Sequence, residues 1–325
     1  MHRTRTIGVD HPDGALSLKA ADGGKRWHLL IRFDRNREAC IIIVSTVLGR
    51  PATERRFNLR ENSSMDHWHN KAAWDRLAQT QDRLAKPARD VDFVNPLKSV
   101  DGLGWLGDSI AGKRTLCLAA GGGRQGPIYA AAGAIVTVVD LSPAMLELDR
   151  KVAAERKLKL KTVEASMDDL SMLAEASFDI VIHPVSTCYV PDIGLVFSEV
   201  ARVLDGGGIY ISQHKQPVSL QADAQSKSGQ YKIRHAYYGK TPLPQSPAPN
   251  LVREQGTIEY VHRWEEILGG MCRASMVIED VTEPLHAKAD SPIDSFAHRC
   301  QFIAPYIRIK ARRISRDRPA GRIMI

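Results

Sequence analysis

The sequence predicts an α/β fold: a doubly wound, mostly parallel sheet with helices on both faces and an antiparallel final strand. Between residues 113 and 213, short apolar runs alternate with helical segments, the pattern of parallel strands joined by crossover helices. The last two apolar runs are joined by TEPLHAKADSPIDSFAHRC, residues 282–300, which is too irregular for a crossover helix. We therefore expect the final strand to run antiparallel to its neighbours.

The order of the elements follows from the apolar runs and the turns between them. Ser142 stands at the N-cap position of one predicted helix and Pro143 at its first position, where both residue types are favoured. Strands are predicted at residues 115–120, 135–140, 160–165, 178–184, 209–213, 274–281 and 301–311. Helices are predicted at residues 124–133 and 142–157, around 195–204 and within 257–271.

Composition and charge divide the chain into four regions. Residues 1–64 form a leader of uncertain order with one strand at Cys40–Leu48, and residues 65–112 form cap helices, starting at Met65, and a connector. Residues 113–314 form the main domain, with a lid insertion at 213–258, and residues 315–325 form a basic tail. The net charge of +8 lies at the two ends, so the middle of the chain is slightly acidic.

The cysteines and apolar runs indicate a cytoplasmic protein. The five cysteines form no C-x-x-C pair, which favours a reducing compartment over a disulfide framework or a zinc site. The longest apolar run, residues 40–49, has half the length that a membrane span requires. The sequence contains no H-x-x-x-H motif or carboxylate cluster, so we expect no metal.

A glycine turn follows the first strand of the main domain, in LCLAAGGGRQGP. Gly121, Gly123 and Gly126 spell G-x-G-x-x-G, whose glycines let a cofactor approach the main chain. Asp140, at the end of the second strand, is placed to accept hydrogen bonds from a ribose. This spacing does not distinguish a nicotinamide cofactor from another adenosine-bearing one.

Five motifs in order resemble the class I S-adenosylmethionine-dependent methyltransferases, particularly the small-molecule methyltransferases of the type 11 domain group. They are GKRTLCLAAGGG, VVDLSPAML, SMDDL before SFDIVI, EVARVLDGGGIYIS, and a late HRW…EDVTEP block, and they span about residues 74–310. The resemblance implies a Rossmann-like, seven-stranded, three-layer αβα fold with S-adenosyl-L-methionine as cofactor. It further implies methyl transfer to an oxygen, nitrogen or carbon atom of a small-molecule acceptor.

Two residues of the glycine turn depart from the family pattern. The family usually has an acid where Cys117 stands and a glycine where Ala119 stands. An acid at the Cys117 position would help to hold the methionine ammonium group. Its replacement by cysteine leaves open the interpretation that the cofactor site is weakened or altered. Ser166 occupies the position of an acid that often contacts the adenine, with Asp168 close by.

The resemblance assigns site residues position by position. The cofactor-binding set is Ala119, Gly121, Gly123, Asp140, Leu141, Ser166, Met167, Asp168 and Pro184. Because the acceptor should lie beyond the carboxyl ends of the fourth and fifth strands, the catalytic candidates are His214, His183 and Tyr189. The candidates for substrate contact from the cap and lid are Trp74, Tyr237, Tyr238 and His262.

Three other functions stay open at this stage. The basic ends suit docking arms of an RNA or protein methyltransferase, although HPVSTCY replaces the N-P-P-Y-type loop of many nucleic-acid methylases. The changes at Cys117 and Ala119 suit a non-catalytic S-adenosylmethionine-binding regulatory module. The glycine spacing suits a nicotinamide oxidoreductase. The expected partner is a small molecule and no membrane; a nucleic acid is a second partner class, and the sequence does not indicate an oligomeric state.

Overall fold

The structure is a computed structural model of the 325-residue chain. It describes four strands within residues 9–46 and residues 52–315 except 227, 247–249 and 251, with side chains from Met65 onward. The chain divides into two units, Met1–Met65 and Asp66–Ile325. The predicted basic tail beyond Ser315 lies outside the described residues.

The first unit contains four antiparallel strands, where the sequence predicted one. They are β1 (Val9–Asp10), β2 (Leu16–Asp22), β3 (Lys25–Phe33) and β4 (Ala39–Thr46), each paired with the next. The predicted strand corresponds to β4. The others were missed because charged residues interrupt their apolar runs. The sequence does contain one signal, the dipeptide Gly23–Gly24 between two stretches with residues that favour strands, which is typical of a hairpin.

Helix α1 (Ala52–Gln79) precedes the main sheet and is followed by the short α2 (Pro96–Val100). The helix begins upstream of Met65, where the sequence analysis placed its start. Residues 52–64 contain no proline or glycine and include three Arg and two Glu, which favour helix, so the helix continues towards the amino terminus. No helix among the described residues is both long enough and apolar enough to span a membrane.

The main sheet and its helices follow α2 along the chain. The elements are β5 (Arg114–Leu118), α3 (Gln125–Ala131), β6 (Ile135–Asp140), α4 (Pro143–Glu155), β7 (Leu160–Glu164), β8 (Phe178–His183), α5 (Ile193–Val203), β9 (Leu204–Lys215), α6 (Pro217–Gln221), α7 (Trp264–Arg273), β10 (Met276–Thr282), α8 (Phe296–Arg299) and β11 (Tyr306–Arg313).

The seven strands of the main sheet lie in the order β10-β11-β9-β8-β5-β6-β7. The strands β5 to β9 pair in parallel, and β11 runs antiparallel between β9 and β10. The predicted fold class, including the antiparallel final strand, is therefore confirmed.

Alternate residues of each central strand face two separate apolar cores. Leu116 and Leu118 of β5 pack into one core with α5 and α7, whereas Cys117 packs into the other with Tyr129 of α3. This alternation gives the three-layer arrangement, because side chains along a strand point to opposite faces. The chain reverses its winding direction between β5 and β8, so a crevice opens at the carboxyl ends of these strands.

The close packing of α3 on the sheet predicts that Gly126→Ala lowers the free energy of unfolding by about 1–3 kcal/mol. A Cβ atom at Gly126 would lie 2.4 Å from a methyl group of Val138, which is fully buried and cannot retreat. Gly102→Ala is the matched control because nothing lies within 4 Å of a Cβ there. Urea unfolding should show a change within about 0.5 kcal/mol for the control. Equal stability of the two variants would contradict the packing argument.

Candidate active site

A cavity of about 400 Å³ lies at the carboxyl ends of the central strands. Its wall includes the turn after β5, the end of β6, the loops after β7 and β8, and part of α1. Nine of the sequence-predicted site residues line it: Trp74, Ala119, Gly121, Asp140, Leu141, Ser166, Met167, Pro184 and Tyr189. The structure therefore brings residues from distant parts of the chain to one cavity, at the place where open α/β sheets bind ligands.

The turn after β5 keeps a left-handed backbone at the position where the family pattern has glycine. Ala119 has φ +46°, and Gly122 and Gly123 have φ +116° and +73°. A residue with a Cβ atom adopts this conformation at a cost of about 1–2 kcal/mol, whereas glycine adopts it freely. The replacement of glycine by Ala119 thus preserves the shape of the turn and stores a small strain beside the cavity.

Asp140 closes the turn from the end of β6. Its Oδ2 accepts a hydrogen bond from the Gly121 backbone N–H at 2.8 Å, and its Oδ1 accepts one from the Ser142 N–H at 2.9 Å. Burial raises the pKa of Asp140 to about 6, although backbone donors favour its ionised form. Asp140 also lines the cavity, so a ligand that contacts this carboxyl would be held in a fixed position relative to the turn.

A second carboxyl supports the turn from helix α4 and was missed by the sequence analysis. Oδ2 of Asp149 accepts a hydrogen bond from the Gly122 N–H at 2.9 Å, while its Oδ1 is buried without a partner. Burial raises the pKa of Asp149 to about 7. The available signal was its position on the buried stripe of α4, between Met145 and Val152, where an acid is unusual.

Cys117 and Gly123 do not face the cavity. Cys117 is fully buried in the apolar core on the α3 side of the sheet, and burial raises the pKa of its thiol. A Cβ atom at Gly123 would lie 2.8 Å from the Leu148 carbonyl oxygen of α4. The lack of a side chain at Gly123 serves the contact between turn and helix, and its contact with a cofactor stays a prediction.

The loop after β7 supplies a second wall. Ser166 and Met167 of this loop line the cavity, as does Leu141 directly after β6. Asp168 accepts a hydrogen bond from the Ser166 Oγ at 2.5 Å. His67 of α1 forms an ion pair with Asp168 at 3.2 Å. This hydrogen-bonded contact with Asp168 raises the pKa of His67, which the sequence analysis did not select.

Helix α1 covers the cavity and contacts both of its ends. Near the turn, the Ser142 hydroxyl donates to Asp75 Oδ1 at 2.5 Å. At the other end, Asn70 donates to the Tyr189 and Ile258 carbonyls at 3.2 and 3.1 Å and accepts from the Ile258 N–H at 2.7 Å. Trp74 packs edge-on against Tyr189, with ring centroids 5.8 Å apart.

A buried network of charges stands behind Tyr189. The Tyr189 hydroxyl donates to Glu254 Oε2 at 2.7 Å, and Lys215 Nζ contacts the same oxygen at 2.5 Å. Lys215 Nζ also lies 3.3 Å from Glu259 Oε2, and Arg253 Nε reaches that oxygen at 3.3 Å. Glu254 lines the cavity, whereas the Lys215 and Glu259 side chains are 2% and 0% exposed. None of these four charged residues was predicted from the sequence.

The two candidate histidines lie beneath the cavity floor. His183 and His214 are each 1% exposed, and neither lines the main cavity. His183 Nε2 lies 2.7 Å from the Ser186 Oγ, and its Nδ1 lies 2.8 Å from the Tyr210 hydroxyl. Burial lowers the pKa of His183 to about 3, so its imidazole is neutral. Of this hydrogen-bonded chain, Ser186 is the member that reaches the cavity wall.

The position of His214 has a clear cause in the length of β9. The predicted strand ended at Gln213, which would have left His214 in a loop at the cavity. Antiparallel pairing with β11 continues β9 to Lys215, and the strand alternation turns His214 under α5. There its ring nitrogens bind the hydroxyls of Thr187 and Ser212, both at 2.8 Å, and burial lowers its pKa.

The remaining lid candidates lie away from this cavity. Tyr238 is 75% exposed, and the Tyr237 hydroxyl accepts a hydrogen bond from the Trp264 N–H at 3.1 Å. His262 is buried and donates from Nε2 to the Thr187 carbonyl at 2.9 Å. None of these three residues lines the main cavity. Among the described residues, no group of three or more His, Cys, Asp or Glu side chains is arranged to hold a metal ion.

Comparisons with known proteins agree with this geometry. The family profile of a methyltransferase domain matches residues 116–212. The methyltransferase YbaJ of Bacillus subtilis (strain 168) is 34% identical over 244 residues, which cover 71% of this chain and 94% of YbaJ. The aklanonic acid methyltransferase DauC of Streptomyces sp. (strain C5) is 29% identical over 143 residues, covering 42% of this chain and 60% of DauC. A crystal structure of an S-adenosylmethionine-dependent methyltransferase from Mesorhizobium loti superimposes with a TM-score of 0.52 at 22% identity, covering 65% of this chain and 96% of the other.

The burial of Asp149 predicts a pH dependence of stability. A carboxyl whose pKa is raised in the folded state binds its proton more tightly there than in the unfolded chain, so it destabilises the fold as pH rises from about 4 to about 7. Asp149→Asn removes this titration. The decrease in the free energy of unfolding between pH 5 and pH 8 should therefore be smaller in the variant, by on the order of 1 kcal/mol or more.

Urea unfolding of the parent and the variant at both pH values measures this difference. Asp108→Asn is the control, because Asp108 is exposed and should leave the pH dependence as it is in the parent. An unchanged pH dependence in Asp149→Asn would show that the carboxyl is not desolvated beneath the turn.

Proposed function

Because this chain belongs to the family of S-adenosylmethionine-dependent methyltransferases, we propose that it methylates an oxygen, nitrogen or carbon atom of a small-molecule acceptor. One observation carries the small-molecule part of the proposal. A single cavity is lined both by the glycine turn with Asp140 and by Tyr189 with Glu254, so it offers groups suited to a cofactor and groups suited to an acceptor. Its volume of about 400 Å³ is in the range of small-molecule sites.

The residues at the turn suit the cofactor. Asp140 presents a carboxylate that can accept hydrogen bonds from ribose hydroxyls, and Leu141, Ser166 and Met167 offer a partly apolar slot for adenine. Lys86 and Arg124, at the edge of the turn, suit the negatively charged carboxylate of the methionine portion. We assign these two cations by their charge and their place in the wall.

Methyl transfer asks mainly for alignment and a dry site. S-adenosylmethionine supplies a methyl group already activated on a sulfonium. The chain must hold the acceptor atom in line with that methyl group and exclude water, which lowers the entropic part of the barrier. Trp74 and Tyr189 form an aromatic wall suited to hold an acceptor.

The roles of the histidines follow from their burial. His183 and His214 are neutral and hydrogen-bonded to Ser186 and Thr187, so we assign them to shaping the loop after β8 rather than to direct proton abstraction. Tyr189 stays a candidate for contact with the acceptor, because its ring and hydroxyl stand at the cavity wall.

The direct test of cofactor binding is titration calorimetry of the full chain against S-adenosylmethionine, S-adenosylhomocysteine and NADH in parallel. We expect binding of the first two and none of NADH. Binding of NADH alone would overturn the proposal in favour of an oxidoreductase.

Asp140→Ala should weaken S-adenosylhomocysteine binding by at least about tenfold. Each ribose hydroxyl donates to a charged acceptor, a hydrogen bond worth about 1.5–3 kcal/mol, and 1.4 kcal/mol corresponds to one decade in affinity. Calorimetry measures the affinity, and Asp108→Ala, which removes an exposed carboxylate, should bind as the parent does. Parental affinity in Asp140→Ala would show that the ribose lies elsewhere.

A further inference from the structure

We propose that Glu254 is the acceptor-recognition residue and that it selects acceptors carrying a hydroxyl or amino group. This inference rests on the proposed function and narrows it from any oxygen, nitrogen or carbon nucleophile to one with a hydrogen to donate. It rests on the position of Glu254 in the cavity, on the partners that hold it, and on the charge balance around it.

The position of Glu254 sets it apart from the cofactor residues. Of the described residues that line the cavity, two carry a carboxyl group, Asp140 and Glu254. Asp140 lies at the end of β6 and is hydrogen-bonded to the glycine turn. Glu254 lies in the lid segment and is hydrogen-bonded to Tyr189. The second carboxylate is therefore available to the molecule that occupies the other end of the cavity.

The partners of Glu254 keep it ionised and fix its orientation. Burial alone would raise its pKa, but the ammonium group of Lys215 and the hydroxyl of Tyr189 bind it and hold the pKa below the ordinary value. Both side chains donate to Oε2. The Glu254 backbone N–H also stabilises the carboxylate. Among the described residues no side chain donates to Oε1, so this oxygen keeps a lone pair for a ligand.

The charges behind the wall balance without help from a ligand. Lys215 and Arg253 face Glu254 and Glu259, two positive groups against two negative ones. Of these four residues, Glu254 lines the cavity, so the network presents an acidic side chain there. A hydrogen-bond donor or an ammonium group complements it, whereas a carboxylate or phosphate on the acceptor would be repelled.

The side chains around Glu254 suggest the shape of the acceptor. Trp74 and Tyr189 present aromatic surfaces, and Tyr306 lines the same cavity. A flat or apolar body that bears one hydroxyl or amine matches this combination. We therefore infer a compact phenol, alcohol or amine rather than an acidic metabolite.

Glu254 can also take the proton that the reaction releases. The acceptor oxygen or nitrogen forms a bond to the methyl carbon, the carbon–sulfur bond breaks, and its electron pair stays on sulfur as a neutral thioether. A hydroxyl acceptor loses its O–H proton to the Glu254 carboxylate, and a weakly basic carboxylate suffices because a methylated oxygen that still carries its proton is positively charged and strongly acidic. A neutral amine acceptor becomes a methylammonium ion, which keeps its proton and pairs with the carboxylate.

The test uses three probes of similar size on the full chain saturated with S-adenosylhomocysteine: benzylamine, benzyl alcohol and benzoate. Ligand-observed nuclear magnetic resonance gives their dissociation constants. We expect the parent to bind benzylamine at least about tenfold more tightly than benzoate, with benzyl alcohol between them, since a hydrogen bond to a charged group corresponds to one to two decades in affinity.

Glu254→Gln should abolish the preference for benzylamine over benzoate and leave S-adenosylhomocysteine affinity unchanged. Glu175→Gln is the control, because Glu175 is exposed and should keep the parental preference. Glu254→Gln leaves the buried Lys215 with fewer partners, which can prevent folding. The double variant Glu254→Gln, Lys215→Met removes both members of the pair. It should also lose the preference for benzylamine over benzoate.

Two results would overturn the inference: equal binding of benzoate and benzylamine by the parent, or a preference that survives in both Glu254 variants. Failure of the proposed function is a separate outcome, because it appears as the absence of S-adenosylhomocysteine binding in the parent. If the cofactor product binds and the preference is missing, the inference about Glu254 fails by itself.

Discussion

The site depends on the hydrogen bonds of two peptide N–H groups in the turn after β5. Gly121 and Gly122 stand between a strand and a helix, where regular secondary structure leaves backbone donors without partners. Two carboxyl groups accept from them, Asp140 from the end of β6 and Asp149 from α4. Asp149 is fully buried, and Asp140 is half-buried in the cavity wall. The turn is therefore held against the next strand and helix, and the cavity wall takes a fixed shape.

This constraint explains why the residues of the proposed cofactor half could be predicted to lie together. They follow the ends of consecutive strands, and those ends meet at one edge of a parallel sheet. Asp140, Ser166 and Met167 line the cavity for this reason, and their contact with a cofactor stays a prediction. The approach of Leu148 to Gly123 depends on the angle of α4, which no sequence pattern sets.

The acceptor half could not be predicted in the same way. Lys215 and Glu254 lie 39 positions apart and meet only because β11 extends β9 and because the lid returns over the cavity. The same extension buried His214, which a shorter strand would have left at the surface of the site. Long-range strand pairing determines which face of a strand end is exposed to solvent, and a local sequence pattern carries little information about that exposure.

Helix α1 has a consequence for the order of events during turnover. Asp75 and His67 attach it near the glycine turn and to the loop after β7, while Asn70 and Trp74 attach it to Tyr189. If the cavity holds the two ligands proposed above, a displacement of the helix that frees one must also disturb the contacts around the other. Their entry and departure would then be coupled through one helix, and we expect an ordered sequence of binding rather than independent exchange.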